Sequence, residues 1–253
     1  MKVAILTQNE KVFIRGSLEY LIQNIPIGIN LADIYYFEVS PFGKKLNGYQ
    51  KLSQSYKIFG AIFVIKYLYR AFKATFLGAF DKSLTKKYGI SVKKIQGSIN
   101  SKENLNMFAS KDYDLLISIG GNQIFEPNLI AIPKLGILNL HTALLPLYRG
   151  LMPTFWVLKN KEKKTGVSVF FVDEGIDTGP ILVQRELLIE TNSQFELIKS
   201  TKKMGMDAIV ESLTKLEQNP IQKLIENNSE HGSYYGFPER IDVLEFLKKG
   251  NSF

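Results

Sequence analysis

The sequence predicts an α/β protein whose mostly parallel sheet carries helices on both faces. Three observations lead there. Short, strongly apolar runs recur at residues 3–7, 115–119 and 137–140, and each ends in a turn. After the first of them, residues 10–24 space their apolar residues at helical intervals. An alternation of this kind supplies the long crossovers that parallel strands need. The 253 residues suffice for one α/β domain with a substantial core, or for a core with a small appendage. The hydrophobic fraction of 45% and charged fraction of 22% are those of an ordinary soluble globular protein, so neither a disordered nor a fibrous chain is expected.

Residues 3–7 read as a buried strand. From 10 to 24, Val12, Phe13, Leu18, Leu21 and Ile22 recur at helical spacing, and 34–39 reads as a second strand. The loop between them, Gln8-Asn9-Glu10-Lys11, has no glycine, which excludes a dinucleotide fingerprint or a phosphate-cradling loop at this place. Residues 41–55 look like a turn-rich connection. Residues 56–80 are aromatic and aliphatic almost all round, broken by Lys57, Lys66, Arg70 and Lys73. The last three fall at i, i+4 and i+7 and predict one narrow cationic stripe. Three internal charges argue against a membrane span. One or two helices packed on the sheet are expected, the alternative being a helix that lies on an anionic membrane or meets a partner.

Residues 90–95 read as a short strand and 100–111 as a short helix. The central strand 115–119 ends in Gly120-Gly121-Asn122-Gln123, at the kind of strand end where open α/β sheets bind ligands. Strand 137–140 follows, and 167–172 and 181–189 complete the β signal. Residues 194–216 read as a long helix. The tail from 217 is turn-rich and closes in an amphipathic piece, 240–249.

The chain has no cysteine, which excludes disulfides, thiolate zinc sites and cysteine nucleophiles. With only His141 and His231, no metal site is expected. The N-terminus reads as a strand and not a signal peptide, so a cytoplasmic location is expected. The net charge of +8 attracts polyanions in principle, but the lysines are scattered, and a solubilising surface is expected in place of a nucleic-acid footprint.

The most informative stretch runs from Gly136 to Gly150. An apolar run leads into Asn139-Leu140-His141; Leu144-Leu145-Pro146 and Arg149-Gly150 follow. Side chains two apart on a strand share a face, so Asn139 and His141 project together. An amide donor beside an imidazole suits acyl transfer, where one group handles a proton and the other holds a developing oxyanion. A second acidic segment, Asp173-Glu174-Gly175-Ile176-Asp177-Thr178-Gly179-Pro180, supplies the carboxylate such a pair would use.

Together these two segments resemble the formyltransferase family that uses 10-formyltetrahydrofolate, a family with glycinamide ribonucleotide, methionyl-tRNA and sugar-nucleotide members. The resemblance covers roughly residues 88–190, with the first strand agreeing more loosely. It implies a Rossmann-like formyltransferase fold, with a catalytic domain over 1–216 and a C-terminal extension over 217–253. It implies catalytic roles for Asn139, His141 and Asp177, and 10-formyltetrahydrofolate as formyl donor. It also implies a folate pocket lined by Gln123, Ile124, Phe125, Leu145, Asp173, Gly175 and Ile176. Acceptor contacts are expected from Gln8, Asn9, Thr142 and Arg149. The family usually carries Ser where this chain has Ala143, which puts a local hydrogen bond in question and leaves the three reacting groups intact.

The same resemblance orders the acceptors. A purine-pathway enzyme is expected to have a glycine-rich loop after its first strand, which Gln8 to Lys11 is not. A methionyl-tRNA enzyme needs a C-terminal nucleic-acid-binding barrel, for which the tail is too short. Ser118 to Phe125 and Pro153-Thr154-Phe155-Trp156 look most like the sugar-nucleotide subgroup. The expectation is therefore transfer of a formyl group to the amine of an amino-deoxysugar nucleotide, a precursor of surface polysaccharide such as lipopolysaccharide. The partners are small molecules, with a homodimer possible by resemblance. The alternatives are a methionyl-tRNA-type enzyme, or a non-catalytic membrane-surface protein reusing the fold. Trp156 reads as packing and His231 as a surface residue.

Overall fold

The computed structural model describes residues 1–10, 12–38, 46–75, 80–121 and 123–253. Lys11, the end of the second expected strand at 39, the 41–45 part of the expected connection, the 76–79 part of the aromatic stretch and Asn122 lie outside the described residues.

The elements run β1 (Lys2–Gln8), α1 (Ile14–Asn24), β2 (Asn30–Phe37), α2 (Gly48–Phe59), α3 (Ala61–Thr75), α4 (Phe80–Tyr88), β3 (Ser91–Lys94), α5 (Lys102–Ala109), β4 (Leu115–Ile119), α6 (Pro127–Ile130) and β5 (Ile137–His141). Then come β6 (Arg149–Gly150), α7 (Pro153–Lys159), β7 (Lys164–Phe171), β8 (Ile181–Leu188), α8 (Gln194–Gln218), β9 (Tyr234–Tyr235) and α9 (Arg240–Lys248). One seven-stranded sheet has the order β3-β2-β1-β4-β5-β7-β8. Its first five strands are parallel; β7 runs antiparallel to both β5 and β8.

The sheet is covered on both faces, which explains why β4 is buried at every position and apolar at all but Ser118. Val3 and Ile5 pack on one side with Leu18 and Leu21 of α1 and Ile209 and Leu213 of α8. Ala4 and Leu6 pack on the other side with Phe108 of α5 and Leu129 of α6. Helix α8 comes so close to β5 that a Cβ on Gly205 would lie 2.5 Å from a methyl of Leu140.

Four expectations need correction. Helix α1 begins at Ile14 because the Glu10 carboxylate accepts hydrogen bonds from the amides of Val12, Phe13 and Ile14, at 2.8, 2.7 and 3.1 Å, and so acts as its cap. Residues 48–55 are helical, not a connection. A capping box starts α2: Asn47 accepts from the Gln50 amide at 2.9 Å, and Gln50 accepts from the Asn47 amide at 3.0 Å. Residues 56–75 form parts of two helices broken at Gly60, and these rest on an aromatic cluster of the tail. Phe59 stacks on Phe63 at 4.4 Å, and Phe63 meets Phe253 at 5.0 Å. The expected cationic stripe is split as well. The Arg70 guanidinium lies 3.6 Å over the ring of Phe195, and Lys66 donates to the Phe253 carbonyl at 3.0 Å.

After α8 the tail returns to the body of the molecule. It bridges Ile225 to Ile181, pairs β9 with β6 and bridges Ser252 to Ser193. Its last helix carries Phe246, which stacks on Phe155 at 4.7 Å and on Phe253 at 4.9 Å.

Replacing Gly205 by Val would drive two methyls into the fully packed Leu140. The expected cost is about 1–3 kcal/mol, read as a lowered urea midpoint with an unchanged m-value.

Candidate active site

Asn139 and His141 stand on the face of β5 that also carries Ile137, at the carboxyl end of the parallel strands. Neighbouring strands set their positions: Asn139 lies beside Ser118 of β4 and Phe170 of β7, and His141 beside Ser168 of β7. His141 is 6% exposed. Its Nε2 donates to the Tyr148 carbonyl at 2.7 Å, which fixes a proton on that nitrogen. Nδ1 is left facing Asp177, with Oδ2 3.4 Å away. The half-buried amide of Asn139 has no hydrogen-bond partner among the described residues.

Asp177 comes from the loop between β7 and β8, which doubles back over the face that Asn139 and His141 present. Its Oδ2 also accepts from the Gly150 amide at 2.8 Å. Asp177 holds the left-handed region, with φ of 54°, a conformation that Asp tolerates better than most residues. The loop is braced from within and without. Asp173 accepts from the Gly175 amide at 3.1 Å and the Thr178 hydroxyl at 2.7 Å. Asn227 of the tail donates to the carbonyls of Asp177 and Gly179, at 3.0 and 2.9 Å.

The turn after β5 is anchored by Ser168. Its hydroxyl donates to the Ala143 carbonyl at 2.8 Å and accepts from the Leu145 amide at 3.1 Å. Ser168 thus supplies a hydroxyl to the turn at which this chain carries Ala143. The tail finishes the frame. Ser233 accepts from the amides of Tyr148 and Arg149, the Leu151 amide donates to Tyr235, and the Tyr148 and Tyr235 rings stack at 5.2 Å. Gly150 lies so close to this strand that a Cβ there would sit 2.3 Å from the Tyr235 carbonyl oxygen, so only glycine leaves its amide where Asp177 uses it.

Of the other expected site residues, Leu145 is buried with Phe170 and Ile181, and Phe125 is buried among Phe108, Leu129 and Ile137. The Gln123 side chain is engaged in holding its neighbour loop: it accepts from the Ile99 amide at 2.8 Å and faces the Gly97 carbonyl, leaving its backbone for a ligand. Ile124 and Ile176 are exposed, at 68% and 46%, and offer apolar surface on the two loops. Gln8 donates to the Gly120 carbonyl, and Thr142 is half-buried on the turn after His141. Asn9 Oδ1 and Arg149 Nε are buried without a hydrogen-bond partner, as is Asn227 Oδ1. Each such atom costs roughly 1–3 kcal/mol unless something pairs with it. Trp156 is packing, as expected: it stacks on Tyr235 at 4.8 Å and donates to the Gly236 carbonyl. His231 is exposed in a short 3₁₀ turn.

Sequence reading placed Tyr148 and Gly150 inside its main motif without their backbone roles, and missed the tail residues Asn227 and Ser233, and Lys202. Lys202 reaches from α8 toward Gly120 at the end of β4, and burial pushes its pKa below the ordinary lysine value. Nothing local in the sequence marks these residues, because each acts only through a distant strand or loop.

An imidazole, a carboxylate facing it at 3.4 Å and an unpaired amide are residue types suited to acyl transfer. The formyl transferase family model matches residues 83–213, just over half of the chain, and spans all three. The chain belongs to the formyltransferase family. Among curated relatives, the methionyl-tRNA formyltransferase of Synechococcus sp. (strain JA-3-3Ab) is 35% identical over 149 residues, which make up 58% of this chain and 46% of that protein. The matches span less than half the length of these curated relatives. Two solved structures share the formyltransferase fold across nearly the whole chain. A sugar N-formyltransferase from Shewanella sp FDAARGOS_354 has a TM-score of 0.60 at 18% identity, covering 98% of this chain and 88% of that one. Phosphoribosylglycinamide formyltransferase from Anaplasma phagocytophilum has a TM-score of 0.65 at 14% identity, covering 92% and 98%.

Asn227→Ala should strip two loop carbonyls of their donor. The expected outcome is a loss of about 1–3 kcal/mol in stability, seen as a lower thermal midpoint. A lower turnover number should accompany it in whichever formyl-transfer assay the protein supports, because Asp177 loses its brace.

Proposed function

We propose that the chain transfers a formyl group from 10-formyltetrahydrofolate to the amine of an amino-deoxysugar nucleotide. The observation that carries this reading is the meeting of Asn139, His141 and Asp177, drawn from two separated segments, around one sheet end. Their residue types match a reaction in which an amine attacks a formyl carbon. The donor supplies that activated formyl carbon when bound. The unpaired Asn139 amide and the exposed Ile124 and Ile176 fit such a molecule: one donor for its formyl oxygen, two apolar surfaces for its ring system.

Each residue then has a task. Asn139 donates to the oxygen on which negative charge builds. With Nε2–H held by Tyr148, His141 exchanges protons at Nδ1, on the side of Asp177. Asp177, held by Gly150, orients the imidazole and balances its charge when it carries two protons.

A cavity of about 600 Å³ supports the acceptor reading. It runs from Gln8 at the end of β1 to Leu151 and Met152, which follow directly on the Gly150 that holds Asp177. Phe13, Phe59, Phe63, Tyr67 and Phe237 line it, with Glu10, Lys51 and Ser55 as polar groups. Aromatic walls with a few polar groups suit a nucleobase and a sugar. The 35% identity with a methionyl-tRNA formyltransferase favours a second reading, methionyl-tRNA as acceptor.

One assay separates the readings: tetrahydrofolate release from 10-formyltetrahydrofolate, with a panel of amino-sugar nucleotides and with methionyl-tRNA. Turnover with an amino-sugar nucleotide alone is the expected result; turnover with methionyl-tRNA alone would replace it. Asn139→Ala should lower kcat/KM by about 10²–10³ with little change in stability, and unchanged turnover in this variant would refute the site. Tyr67→Ala should raise the acceptor KM by about tenfold, as loss of one base–aromatic stack predicts, while the folate KM stays unchanged.

A further inference from the structure

Helix α3 turns an unusual face outward. Phe63 and Val64 pack toward the cavity, whereas Ile62, Ile65, Leu68, Tyr69 and Phe72 are 73%, 66%, 48%, 58% and 62% exposed. At helical spacing these five occupy one continuous arc. Single exposed apolar residues are ordinary, but a run of five on one arc marks an interaction face. Lys73 lies along the edge of the arc, and α2 adds exposed Tyr49, Tyr56 and Lys57. The two helices themselves carry charge of one sign. Between residues 39 and 80 the sequence has seven Lys and Arg and no Asp or Glu.

We propose that this face is a docking surface for an anionic lipid bilayer, with α3 lying in the plane of the interface. Apolar side chains enter the acyl boundary while lysines at the edge reach the headgroups. The length of α3 agrees: 15 residues make about 22 Å of helix, short of the ~30 Å that a span requires. Among the described residues no helix is long and apolar enough to cross a membrane. Charge decides against a second copy of the chain. A two-fold dimer would set the same basic helices against themselves, bringing lysine to lysine. An anionic lipid surface is complementary both to the apolar arc and to its basic edge. Leu52 and Leu68 are exposed and also line the acceptor cavity, so docking puts the cavity mouth beside the bilayer. This inference goes beyond the proposed reaction and stands independently of it.

The test is flotation of the full chain with vesicles of phosphatidylcholine alone, or of phosphatidylcholine with phosphatidylglycerol. The chain should float with the anionic vesicles, be released by high salt and stay behind with the neutral ones. Lys57→Gln and Lys73→Gln should each weaken capture by about fivefold. Ile62→Glu combined with Ile65→Glu should abolish it with an unchanged thermal midpoint, since both residues are exposed and outside the cavity. Absence of capture by anionic vesicles, or capture that survives the isoleucine changes, overturns the proposal. So does a solution dimer that the isoleucine changes split. Vesicle capture and formyl transfer are read separately, so failure of one leaves the other standing.

Discussion

One carboxylate oxygen holds the site together. Oδ2 of Asp177 faces the imidazole of His141 and accepts the amide of Gly150, so three chain segments meet at a single atom. None of the three is fixed by its own local structure. His141 owes its place to β5 and its rotation to the Tyr148 carbonyl. Gly150 owes its place to the two-stranded pairing with the tail. Asp177 sits on a loop whose ends are strands but whose middle is held by Asp173 and Asn227. A carboxylate facing an imidazole is oriented only as well as the backbone around it, which is why so many hydrogen bonds here go to main-chain atoms.

The tail is therefore part of the site's frame. Ser233 and Tyr235 hold the segment 148–151, Asn227 holds the Asp177 loop, and Phe246 and Phe253 join the aromatic cluster under α2 and α7. The cluster also seats Phe59 and Phe63, whose helices form one wall of the cavity. The packing of the last residues and the shape of the cavity are thus linked through stacked rings, a contact type that tolerates little displacement.

Helices α2 and α3 bury aromatic residues toward the cavity and the cluster and expose aliphatic and aromatic residues outward. A helix apolar on both sides is uncommon in a protein surrounded by water alone. The same physical fact made residues 56–80 ambiguous in the sequence: without one polar face, periodicity cannot say which side is core.

The sheet was legible because a strand buried on both faces is apolar along most of its length, and 115–119 and 137–140, apolar but for Ser118 and Asn139, stand out for that reason. The long helix 194–216 was legible because one of its faces must match that sheet. Asn139, His141 and Asp177 were legible as candidates because few other residue types serve acyl transfer and because their motifs are local in sequence. The cap by Glu10 and the helix at 48–55 were not, since polar residues that bond to nearby backbone read like turn residues until the backbone path is known. The proton on Nε2 of His141, the bond from Gly150 to Asp177 and the bracing by Asn227 were decided by tertiary structure alone. Each joins residues from about seven to fifty positions apart, and no short-range pattern encodes a hydrogen bond whose partners meet only after the sheet has formed.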